Sequence, residues 1–66
     1  MSKELLIAHM EHLLTKYLND RMDLTELIRE DSDSVKYILS EIDQGKQIEY
    51  EETDLELIRD ISFYYL

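Results

Sequence analysis

Apolar positions recur at helical spacing in three stretches of this chain, and short polar breaks separate them. Between Ser2 and Asn19, the residues Leu6, Ile7, Met10, Leu13, Leu14, Tyr17 and Leu18 fall within one arc of about 140° on a helical wheel. This predicts an amphipathic first helix with Leu5, His9 and His12 off the buried stripe. A second helix is expected to start at Asp23. Asp23 and Glu26 have the spacing of a capping box, and Met22 with Leu27 has that of a hydrophobic staple. Leu24, Leu27, Ile28, Val35, Ile38, Leu39 and Ile42 then stay in phase, which favours one kinked helix to about Gln44. The run Asp31-Ser32-Asp33-Ser34 argues for a break with a fresh N-cap near Ser32. Such side chains compete for backbone hydrogen bonds, and Asp31 would otherwise lie on the buried face. Both readings stay open. Gly45, the only glycine, suits a left-handed position after a helix and ends the element either way.

Ile48 and Tyr50 alternate with Glu49 and Glu51, an extended pattern too short and too charged for a strand. Thr53 and Glu56 form a second capping-box pattern, which opens a final helix from Asp54. In that helix Leu57, Ile58, Ile61, Tyr64 and Tyr65 share a face, while Leu55, Phe63 and Leu66 point elsewhere. One face cannot bury them all. Small domains normally use aromatics as core, which would wrap Phe63 and Leu66 onto the first helix. The alternative docks them on a second subunit or a target, and Phe63 is then the best single contact. The fold class is all-α: one domain over residues 1–66, a small bundle of three helices, or four if the middle one breaks. A chain of this length buries only about 60% of the surface its unfolded form exposes, so a homodimer or a partner would supply further burial.

Charge is segregated along the chain. The segment before Asp20 holds Lys3, Lys16, Glu4 and Glu11 and is neutral, so the whole net charge of −9 lies from Asp20 onward. Such a field repels phosphate and anionic lipid and attracts basic protein surfaces. There is no cysteine, hence no disulfide or thiolate metal site, and a cytoplasmic location is expected. The opening run MSKELLIAHMEHLL is broken by His9, Glu11 and His12 and lacks the layout of a signal peptide, so it reads as helix. No stretch approaches the roughly 18 apolar residues of a membrane span.

Catalytic and metal chemistry find little support. His9 and His12 stand at i, i+3, a spacing that can share a metal ion, but Glu11 points away and Lys16 would repel a cation. They read as solvated surface histidines. Paired carboxylates serve many hydrolases, yet a bundle of this size has little room for the cleft that separates their pKa values. The acids do not cluster around Ser, His or Lys. The segment after Asp31 and Asp33 lacks the glycine and glutamate of a calcium-binding EF-hand loop, and no phosphate-binding glycine loop is present. We expect no enzyme activity, no metal and no cofactor.

The acids themselves are organised. Asp23, Glu26, Glu30, Asp33 and Glu41 lie off the apolar stripe, and members three or four residues apart on a helix are separated by about 5 to 6 Å along its axis. Glu49, Glu51, Glu52, Asp54, Glu56 and Asp60 follow. Carboxylates spaced on a rigid scaffold can stand in for phosphates and occupy a protein built to bind DNA or RNA. Phage and mobile-element inhibitors of host repressors, restriction systems or CRISPR nucleases are of this physical type. In this reading Glu26, Glu30, Asp33, Glu41, Glu49, Glu51, Glu52, Asp54 and Glu56 supply the field, with Tyr37, Tyr50 and Phe63 as aromatic anchors. The simpler use of the same charge is solubility.

The order LTELIRE, SVKYILSEIDQGK, DLELIRDI, from Leu24 to Ile61, resembles the helix-turn-helix core of Cro and lambda-repressor-type regulators, with Ile42-Asp43-Gln44-Gly45-Lys46 as the closest local match. The resemblance implies that SVKYILSEIDQGK is the recognition helix of a dimeric DNA-binding regulator. That helix would project Lys36, Tyr37, Ser40 and Glu41, neutral in sum, and bring Asp31, Asp33 and Asp43 against phosphates. Phosphate attraction, a large share of DNA affinity, would be reversed. A basic protein partner is therefore expected ahead of direct nucleic-acid binding or a membrane, with self-association as a third possibility.

Overall fold

The hydroxyl of Ser2 accepts a hydrogen bond from the Leu5 N–H at 3.2 Å and caps α1, which runs Lys3–Tyr17. In the computed structural model, which describes residues 1–66, α1 is followed by a 3-10 segment, Asn19–Leu27, and by helices α2, Ser32–Gly45, and α3, Glu52–Tyr65. There is no strand, and the all-α expectation holds. Leu6, Met10, Leu13, Leu14 and Tyr17 of α1 are buried, the stripe read from its periodicity.

The middle of the chain breaks. Asp31 faces solvent as the N-cap of α2, with its carboxylate accepting from the Ser34 N–H at 2.8 Å. Ser34 adds hydrogen bonds to Arg29 on both its N–H and C=O sides. The short polar side chains thus satisfy backbone groups that a continuous helix would have used. The helix expected from Asp23 does not form. Asn19–Leu27 is instead two short 3-10 turns meeting at Arg21, whose φ of −123° and ψ of 45° leave the helical region. Asp23 pairs with Arg21 Nε at 3.3 Å rather than capping, and Met22 packs its sulfur by the Thr15 hydroxyl rather than stapling to an exposed Leu27. The stretch LTELIRE, first helix of the helix-turn-helix likeness, is therefore the end of a 3-10 segment followed by extended backbone at Ile28. Leu24 and Ile28 reach the core while Leu27 stays exposed, because the chain leaves the 3-10 geometry at Ile28, whose extended backbone turns its side chain back inward.

Gly45 is the last residue of α2 and has no positive φ. A methyl of Leu18 occupies the space a Cβ would fill, so close approach between the ends of α1 and α2 explains the glycine. The expected left-handed C′ role is not used.

The core holds Leu6, Met10, Leu13, Leu14, Tyr17 and Leu18 with Leu24, Ile28, Val35, Ile38, Ile42 and Ile61. Eleven of these twelve precede α3, so the last helix leans on the edge of a core made by the others. It runs antiparallel to α1: Asp54, near its start, meets Lys16 and Tyr17, and the Tyr65 hydroxyl, at its end, donates to the Met1 carbonyl at 3.2 Å. Phe63 and Leu66 do not wrap onto α1; they are 83% and 59% exposed, and Tyr64 leaves the buried face as well at 58%. The total accessible surface is 4375 Å². A compact monomer of this mass exposes about 4,450 Å², so the chain is as compact as an ordinary folded domain of its size.

Replacing Ile38 or Leu14 with alanine should cost about 2–5 kcal/mol in chemical denaturation, since both are fully buried. Leu5→Ala, on the exposed side of α1, should stay within about 0.5 kcal/mol.

Candidate protein-binding surface

One carboxylate does not belong to the acidic surface. Asp54 is only 4% exposed. Its Oδ2 accepts from the Tyr17 hydroxyl at 2.5 Å and from Lys16 Nζ at 2.8 Å, and its Oδ1 lies 2.8 Å from His12 Nε2. Burial pushes the Asp54 pKa up, and hydrogen bonds from Lys16, Tyr17 and His12 more than reverse this, holding it well below the usual carboxylate range. The charged carboxylate can only accept, so His12 must carry a proton on Nε2. Lys16 also reaches Glu51 Oε1 at 2.9 Å, and its hydrogen bonds to Asp54 and Glu51 raise its own pKa.

This cluster also sets the start of α3. Glu51, not Thr53, is the N-cap, and its side chain makes no capping bond. The Tyr17 hydroxyl accepts from the Glu51 N–H at 3.0 Å while donating to Asp54, three residues on. A tyrosine from α1 is thereby inserted into the link that joins N3 to N-cap in an ordinary capping box. The expected Thr53–Glu56 box is not formed.

Asp54 is therefore a structural acid and not part of a binding surface, and His12 is not the free surface histidine that its spacing suggested. Tyr50 is also turned inward. Its ring packs edge-on against Tyr17 at 4.9 Å, with Lys46 Nζ 5.1 Å from its centre. Burial and then the charge of Asp43 push its hydroxyl up to about 12. Glu51 is exposed but engaged with Lys16.

The other sequence-derived acids do face solvent. Glu26, Glu30 and Asp33 flank the turn into α2, Glu49 lies in the link to α3, and Glu52 and Glu56 lie on α3 itself. None of these six is in an ion pair. Glu41 is half-buried on α2, near Tyr37 and Arg21. The Arg21 pKa is raised by its hydrogen bond to Asp23 first, with smaller contributions from Tyr37 and Glu41. An open cleft of about 640 Å³ beside them is lined by Lys16, Arg21, Glu41, Gln44 and Gln47 among others. Two of those charges are already paired, with Asp54 and Asp23. No buried polar side chain lacks a partner, and no three His, Asp or Glu side chains are arranged to hold a metal ion. No helix is long and apolar enough to cross a membrane. No protein-family model, curated protein or solved structure matches this chain.

Sequence reasoning missed His12, Lys16 and Tyr17 as a set. They share one edge of α1, which the periodicity shows, but their common partner lies about forty residues away.

Tyr17→Phe should cost about 1–3 kcal/mol, because Glu51 N–H and Asp54 lose a shared partner in a buried setting. Asp54, with its folded pKa lowered, contributes stability that is complete above the unfolded carboxylate value of about 3.9 and is lost as pH falls through the folded value. In acid titrations followed by circular dichroism, Asp54→Asn should be less stable at neutral pH. It should also lose less stability than the wild type on acidification below about pH 4.

Proposed function

We propose that this chain is a small acidic protein-binding module that inhibits or modulates a basic, nucleic-acid-binding protein by occupying its phosphate-contacting surface. The observation that carries this reading is the unpaired surplus. Of 16 acids, only Asp23, Asp43, Glu51 and Asp54 take part in ion pairs, and of 7 bases only Lys3, Arg29, Lys36 and Arg59 do not. Twelve unpaired carboxylates therefore share the surface with four unpaired bases.

Internal pairing consumes nearly equal numbers of each sign, so the net charge stays on the outside. A surface of this sign speeds encounter with a cationic protein and opposes contact with phosphate. α2 makes the same point locally: Lys36 is its one exposed base without an ion pair, while Asp33, Glu41 and the capping Asp31 accompany it. This disfavours its use as a DNA-recognition helix.

The test is competition. The immobilised protein is exposed to lysate of its source cells, and whatever salt elutes is purified and bound to its own nucleic acid while this chain is titrated in. Displacement of the nucleic acid is expected, with affinity falling as salt rises. A variant carrying Glu26, Glu30, Glu49 and Glu52 as Gln should bind about tenfold more weakly or worse. Binding indifferent to salt and to those substitutions, or a partner that holds its nucleic acid unchanged, would refute mimicry. A specific low-salt gel shift by the chain itself would favour a helix-turn-helix regulator instead.

A further inference from the structure

We propose that the outward face of α3, centred on Phe63 and Tyr64, is the docking face for a basic partner that offers an apolar socket ringed by Lys or Arg. This deepens the reading above and rests on it for the sign of the partner. The apolar part comes first. Phe63, Tyr64 and Leu66 are each more than half exposed, and the two rings support one another edge to face at 5.4 Å. Leu55, also exposed, lies near the angular position of Leu66 on the helical wheel, and Arg59 separates it from Phe63 along the same row, so the apolar patch is concentrated at the C-terminal end of the helix. Exposed aromatics braced this way present a preformed, low-entropy anchor, and buried aromatics are the side chains that most often hold a protein interface.

The occupant follows from the rim. Glu52, Glu56 and Asp60 form an i, i+4, i+8 row that leads to the patch at Tyr64. All three are exposed and none is in an ion pair; Arg59 is the only base on the helix. Glu30 brings a further carboxylate to the same end from the turn before α2, where its charge adds to burial in raising the Tyr65 hydroxyl pKa. The last turn of α3 has no basic side chain, so the partial negative charge of its carbonyl end is uncompensated. A second copy of this chain would set three acids and one base against the same set. A partner with a basic rim meets three acids against the single base Arg59, a net attraction, while the apolar socket accounts for the rings that charge alone leaves unexplained.

The experiment uses the whole chain and three synthetic helical peptides of one length. One presents Arg in an i, i+4 row beside Leu and Phe, the second keeps the Arg row with Ser in place of the apolar residues, and the third keeps the apolar residues with Glu in place of Arg. Binding is measured by fluorescence anisotropy at low and physiological salt, with contacts mapped from amide shifts in NMR. The basic apolar peptide should bind about tenfold tighter than the basic polar one, with shifts concentrated on residues 52–66, and the acidic peptide should not bind.

Phe63→Ala should erase that advantage without lowering thermal stability. Replacing Glu52 and Glu56 with Gln and Asp60 with Asn should weaken both basic peptides and flatten their salt dependence. If both basic peptides bind but Phe63→Ala changes nothing and the shifts centre on Glu26, Glu30 and Asp33, the docking face is refuted while the basic-partner reading stands. If neither basic peptide binds even at low salt, both fail. A dimer in sedimentation equilibrium that dissociates on Phe63→Ala would make a second copy the occupant and overturn the proposal.

Discussion

The carboxylate of Asp54 is the one charge this protein buries, and three side chains from a single face of α1 surround it. The placement of the last helix depends on that arrangement. α3 gives only Ile61 to the fully buried core, with Leu57, Ile58 and Tyr65 partly covered, so apolar contact alone fixes its register weakly. A buried carboxylate without partners would be strongly unfavourable, and only one alignment of α3 along α1 brings His12, Lys16 and Tyr17 to it together. At the other end, the Tyr65 hydroxyl on the Met1 carbonyl sets the same antiparallel alignment. The two polar contacts act like pins at either end of a lightly packed helix.

A division of labour among the charges follows. Lys16 serves both Asp54 and Glu51, Arg21 serves Asp23, and Lys46 serves Asp43, so three of the seven bases are spent inside the structure on local order. The remaining acids have few internal partners and shape the outer field. Because the core is satisfied by α1, α2 and the 3-10 segment, α3 can expose Phe63, Tyr64 and Leu66 without leaving the interior underfilled. Stability and the proposed binding surface are thus drawn from different residues, which lets the surface change without unfolding the domain.

How legible this was varied by element. The stripe of α1 could be read directly, since a long run at one period has a single helical solution. The break before α2 was present in the sequence as a competition between in-phase apolar residues and the Asp31-Ser32-Asp33-Ser34 caps; local hydrogen bonding decided it. The capping boxes at Asp23 and Thr53 failed for a shared reason: the pattern states which side chains can cap, not whether a better partner is near. Arg21 took Asp23, and Tyr17 supplied the cap hydrogen bond at Glu51 from another helix. Gly45 was recognised as special, but the cause was contact with Leu18, a residue distant in sequence.

The sequence by itself determined the helical class, the buried stripe of α1, the end of α2 at Gly45 and the sign of the surface, because periodicity, local capping and formal charge depend on neighbours along the chain. Only the tertiary structure decided that Asp54 and Tyr50 turn inward while Phe63, Tyr64 and Leu66 stay outside. A side chain's burial is set by which helix packs beside it and in what register. Here the register came from hydrogen bonds spanning about forty residues, beyond the reach of any local pattern.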